Sequence, residues 1–102
     1  RELQWEYIVP GWGITVEQLN RKRAQRYNQG GILVTKVSRR STLAELGLKR
    51  GDLIYRINSL KVNSIEDFKR ITTQLRSPQR FHFYFERDGQ QLRIANLIVR
   101  SR

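Results

Sequence analysis

Gly11-Trp12-Gly13, followed by Ile14, are the residues of this chain whose types and spacing suit a defined chemistry. Glycine adopts backbone conformations that side chains oppose. A double-glycine bend therefore lets the consecutive N–H groups of Trp12, Gly13 and Ile14 converge on one anion. A carboxylate is a natural acceptor for such a nest. Ile14-Thr15-Val16 leaves the bend as a short β-prone stretch, so a chain terminus gripped there would have a strand to pair beside.

Covalent and metal chemistry have little to work with. A serine nucleophile needs a base, usually histidine, and a group to orient it. His82 is the one histidine; it alternates with Phe81 and Phe83 in a strand-like run, and an exposed strand position accounts for it. Cysteine is absent, which removes thiolates, disulfides and cysteine metal ligands together. There is no His-Glu-x-x-His pair and no Walker-type loop. No catalytic residue, metal or cofactor is expected. Phe81, Phe83 and Phe85 share one strand face, which fits a core better than a base-stacking platform, and the RNP pattern is unmatched, so nucleic acid is not an expected partner.

The elements that must position the glycine bend can be read along the chain. Residues 3–9 alternate and are rich in β-formers, and Pro10-Gly11 breaks them. Residues 19–27 fit a short, very basic helix, ended by Asn28-Gln29-Gly30-Gly31. Residues 32–37 and 53–57 are strands. Between them Ser41 or Thr42 caps a short helix through Leu46, with Glu45 three residues after Thr42 and Gly47 as its stop. Gly51-Asp52 reads as a structural turn whose carboxylate caps nearby N–H groups, and Asn58-Ser59 as another turn. The best helix starts at Ser64, where Ser64-Ile65-Glu66-Asp67 has the capping-box pattern; Ile65, Phe68, Ile71 or Thr72, and Leu75 recur at helical spacing until Ser77-Pro78. Residues 81–85 and 92–99 form the last two strands around Asp88-Gly89. The sum is one α+β, mainly β domain of about six strands and two to three helices.

With 102 residues there is room for a single core, and 38% apolar residues supply it. No run approaches a membrane-spanning length. The chain opens with Arg1-Glu2 and contains no methionine, which points to a piece of a longer protein, without a signal-peptide pattern. Twenty Lys and Arg against nine acids give a net charge of +11, which attracts acidic peptides and leaves an anionic membrane surface open as a partner. The clusters Arg21-Lys22-Arg23, Arg39-Arg40 and Lys49-Arg50 read as solvated surface.

Residues 31–37, Ser41, the segment Gly47-Leu48-Lys49-Arg50-Gly51-Asp52-Leu53-Ile54, Ile57-Asn58, Val62 and residues 64–75 together resemble the PDZ domains of bacterial HtrA/Deg-type (Do-like) serine proteases. The resemblance spans residues 11–99, with 1–9 as a leading flank, and implies a partly open barrel or sandwich. Gly11-Trp12-Gly13-Ile14 is similar to the family's Gly-Leu-Gly-Phe carboxylate-binding loop, with Trp for Leu and Ile for Phe. By that likeness Ile14, Thr15 and Val16 would pair with a bound peptide, Ile65, Lys69 and Thr72 would face it from the helix, and Phe68, Ile71 and Leu75 would face the core. Trp12 would either border the pocket for the ligand's last side chain or anchor the core. The resemblance further implies C-terminal or extended hydrophobic peptides and unfolded proteins as ligands. It also implies a parent serine endopeptidase of the bacterial envelope, located in the periplasm, that oligomerises. A non-enzymatic interaction domain of a secretion or other membrane-associated assembly is the alternative.

Overall fold

The computed structural model describes residues 5–28, 30–74 and 80–98. In chain order the elements are β1 (Glu6–Val9), β2 (Ile14–Gln18), α1 (Arg21–Ala24), β3 (Ile32–Val37), α2 (Thr42–Glu45), β4 (Leu53–Ile57), β5 (Leu60–Lys61), α3 (Ile65–Gln74), β6 (Arg80–Arg87) and β7 (Gln90–Ile98). Among the described residues seven strands, one more than the count read from the sequence, make an open antiparallel sheet ordered β1-β2-β3-β4-β6-β7, with β5 paired to β4. The α+β, mainly β architecture is the one expected.

Local chemistry explains most of these boundaries. The Ser64 hydroxyl accepts the Asp67 N–H at 3.1 Å, and Ile65, Phe68 and Ile71 form the buried stripe of α3. α2 is capped by Ser41, whose hydroxyl accepts the Ala44 N–H at 3.1 Å; Ser41, not Thr42, is the cap. α1 is shorter than the 19–27 read from propensity. It carries Arg21, Lys22 and Arg23 in its single turn, has no buried residue and no acid near its start, so neither a packed face nor a favourable dipole extends it. β4 turns into β5 through Asn58 at φ 56°, a residue that tolerates the left-handed region. Asn58 also clasps β6: its side-chain oxygen accepts the His82 N–H at 2.9 Å and its own N–H donates to the His82 carbonyl at 2.8 Å.

Phe81, Phe83 and Phe85 all point into the core with Val16, Ile32, Val34, Ile54, Ile57 and Phe68, as their alternation required, and His82 lies on the half-buried opposite face. Asp52 is buried. It accepts the Lys49 N–H at 2.7 Å, the capping role read from Gly51-Asp52, and also two N–H bonds from Arg87 at 2.8 Å. Leu3, Leu75, Ser77-Pro78 and Val99 lie outside the described residues.

Candidate functional site

The glycine bend sits where β1 turns into β2. Val9 accepts a hydrogen bond from the Trp12 N–H at 3.3 Å, and Gly11, the second central residue of that four-residue turn, has φ 78°. Proline at the first central position and a left-handed glycine at the second are the requirements of a type II turn. Pro10-Gly11 therefore folds the chain back instead of merely ending a strand. Gly13 follows with φ 73°, and its carbonyl accepts the Ser38 N–H at 2.7 Å. A Cβ at position 13 would fall 2.7 Å from the Ser41 Cβ. The second glycine is thus demanded twice, by conformation and by the close approach of the β3–α2 loop.

Trp12 is inside the core. Its ring meets Phe68 edge-on at 5.5 Å, stacks on Phe81 at 5.7 Å and lies 6.0 Å from Phe83. The indole fixes the bend from beneath, and its amide is engaged by Val9.

β2 is the strand beside which a ligand was expected to lie. Ile14, Thr15 and Val16 are all buried. Their inner edge pairs with β3, with a bulge between Thr15 and Val16. Sequence reading left the other edge open; β1 fills it. Val9 is opposite Ile14, Ile8 opposite Thr15, Tyr7 opposite Val16 and Glu6 opposite Glu17, and the Gln18 N–H donates to the Trp5 carbonyl at 2.8 Å. The signal for this pairing is present in the sequence as two β-prone segments joined by Pro10-Gly11, a dipeptide that serves equally as a strand terminator and as a turn.

α3 forms the opposite wall. Of the three residues expected to face a ligand, Ile65 is buried, while Lys69 and Thr72 are half-buried. The Lys69 ammonium lies 4.8 Å from the centre of the Tyr7 ring, a cation–π distance, and the Tyr7 ring meets Phe68 edge-on at 6.4 Å. The Thr72 hydroxyl donates to the Phe68 carbonyl at 2.8 Å. Phe68 and Ile71 are buried, as assigned.

Two ties absent from the sequence reading hold the walls together. Gln18 at the end of β2 accepts the Ile65 N–H at 3.1 Å and donates to the Asn63 carbonyl at 3.4 Å, so β2 caps α3 from outside. Asp67 accepts the Asn63 N–H at 3.0 Å and an Arg70 N–H at 3.1 Å. The backbone bond from Asn63, reinforced by Arg70, holds the Asp67 carboxyl below its ordinary value despite partial burial.

In this arrangement β1 is paired to β2 with Tyr7 against Phe68 of α3, and the double-glycine bend stands at one end of the pair. Among the described residues no His, Cys, Asp and Glu cluster forms a metal site, and no helix is long and apolar enough to cross a membrane. No curated protein matches the chain. The sequence profile of the PDZ domain matches residues 10–97, from the glycine bend to the last strand and excluding β1; the chain belongs to the PDZ domain family, whose members bind peptides and proteins.

Proposed function

We propose that this domain binds an extended polypeptide, C-terminal or internal and hydrophobic near the bend, by strand addition to Ile14, Thr15 and Val16. Gly11, Trp12, Gly13 and Ile14 provide the loop that receives its end, and Ile65, Lys69 and Thr72 line the helix side. One observation carries the reading. The space between β2 and α3 accommodates a strand that runs antiparallel to β2 and ends against the bend, because β1 lies there in that manner. A ligand must take β1's place.

The reading is tested by mapping amide chemical shifts while adding a peptide that ends in an aliphatic residue. The expected changes centre on residues 6–9, 14–18 and 65–72. Changes confined to the outer sheet face would remove the groove from consideration. Lys69 makes the helix wall basic, so replacing upstream ligand residues by Asp should tighten binding and replacing them by Lys should weaken it.

The likeness of residues 47–54 to HtrA/Deg-type domains supports a parent that is a serine endopeptidase of the bacterial envelope. There the module would recruit unfolded substrates or relay peptide binding within an oligomer. The domain incubated with unfolded casein should cleave nothing, and the complete reading frame should encode a Ser-His-Asp domain ahead of residue 1; its absence would remove the protease parentage.

A further inference from the structure

β1 does more than border the groove. It runs toward the glycine bend antiparallel to β2, and the Val9 carbonyl takes the Trp12 N–H, one of the amides assigned to a ligand's terminal carboxylate. Val9 is 3% exposed and part of the core cluster, while Ile8 beside it is 72% exposed. Two residues before Val9, Tyr7 turns inward onto Phe68 and under Lys69. The strand therefore presents its alternate side chains as a bound peptide would: an aliphatic residue at the bend and an aromatic residue two positions earlier against the helix. β1 also precedes the segment that matches the PDZ domain, which begins at residue 10.

We propose that β1 is a tethered occupant of the peptide groove. It holds the domain closed to other chains, and Tyr7 and Val9 state what the groove selects, namely an aromatic residue, any residue, then a small branched aliphatic residue. The inference rests on the peptide-binding reading above and adds regulation and specificity to it.

Covalent attachment gives β1 an effective concentration on the order of millimolar or more, so a free peptide of equal intrinsic affinity competes at a disadvantage. The affinity such a peptide displays is its intrinsic affinity reduced by the fraction of molecules with the groove open. The hold runs the length of the strand: Val9 is anchored in the core, Tyr7 packs on Phe68, and beyond Glu6 the Gln18 N–H donates to the Trp5 carbonyl at 2.8 Å.

The test uses the complete chain, a Tyr7→Ala, Val9→Ser double variant of it, and a synthetic peptide Glu-Leu-Gln-Trp-Glu-Tyr-Ile-Val that copies residues 2–9 and bears a free carboxylate. The variant should bind the peptide at least about tenfold tighter than the parent chain. In the parent chain, excess peptide should accelerate amide hydrogen exchange at residues 6–9 while residues 14–18 stay protected. A control peptide ending in Asp should lose about tenfold or more. Equal affinities in the two chains, or tight binding that leaves residues 6–9 protected, would overturn the tethered-occupant proposal and leave peptide binding standing. If neither chain binds although residues 6–9 exchange freely in the variant, the peptide-binding reading itself fails, and this proposal with it. Should the double variant not fold, the exchange measurement on the parent chain decides alone: acceleration at residues 6–9 supports the proposal and its absence at saturating peptide overturns it.

Discussion

At the residue scale, three side chains carry more than their size suggests. Trp12 occupies the centre of an aromatic cluster with Phe68, Phe81 and Phe83. Trp12→Ala should cost about 3–5 kcal/mol in urea unfolding, because the lost contacts leave a cavity between sheet and helix. A cost below about 1 kcal/mol would mean that the indole packs less firmly than its 7% exposure implies. Asp52 is a buried carboxylate joined to Arg87 by two bonds and to the Lys49 amide by a third. Removing one partner leaves the other ion poorly compensated, so Asp52→Ala should destabilise by about 3–5 kcal/mol. A paired Asp52→Leu, Arg87→Met replacement should cost less than that single change, and a larger cost would assign the effect to the carboxylate's role at Lys49. Asp67 tests the lower-pH edge. Its carboxyl titrates below its ordinary value of 3.8, so its contribution is fully present above that value and is lost as pH falls through the lower folded one. Asp67→Asn should thus lower stability at pH 7 by about 0.5–1 kcal/mol, the worth of a helix-terminus carboxylate. That difference should shrink as pH falls below 3.8, as followed by thermal unfolding at each pH.

At the scale of elements, the β1–β2 hairpin depends on two left-handed glycines. Gly13→Ala combines a φ of 73° with a Cβ 2.7 Å from that of Ser41, so it should cost at least about 1–2 kcal/mol. Ser41→Gly should recover only the steric part, and an unchanged unfolding midpoint for Gly13→Ala would contradict the backbone geometry described. Much of this framework is legible without coordinates, because capping, alternation and turn chemistry act over a few residues. Ser64 starts α3, Phe81, Phe83 and Phe85 show their common face, and Asp52 announces a cap. The remainder depends on contacts distant in sequence. Nothing local says that Arg87 reaches Asp52, that Gln18 caps Ile65, or that Asn58 clasps His82. Propensity over-extends α1 because good helix formers lengthen a helix only where it has a face to bury, and α1 buries none. The glycine bend was recognised from its residue types, but its occupant was not. Pro10-Gly11 has two meanings, strand terminator and type II turn, and only the β-prone segments on both sides distinguish them.

For the whole molecule, the net charge of +11 sets how the groove behaves in salt. Self-repulsion opposes compaction, and three ion pairs are present among the described residues, at Glu17, Asp67 and Asp52, the first two of them on the surface and weak. Raising sodium chloride from about 10 mM to about 150 mM shortens the screening length from roughly 30 Å to about 8 Å, which damps repulsion between distant cations more than the buried Asp52–Arg87 contact. The melting temperature should therefore rise over that range, and a fall would show that surface pairs outweigh the repulsion. Peptide affinity separates two further contributions in the same titration. Binding through main-chain pairing and an aliphatic anchor is insensitive to screening, whereas attraction of an acidic peptide to the surface field is not. A neutral peptide ending in valine should keep its affinity within about twofold, while one with upstream aspartates should weaken toward it. If the neutral peptide loses affinity as steeply as the acidic one, the basic surface and not the β2–α3 groove is what holds the ligand.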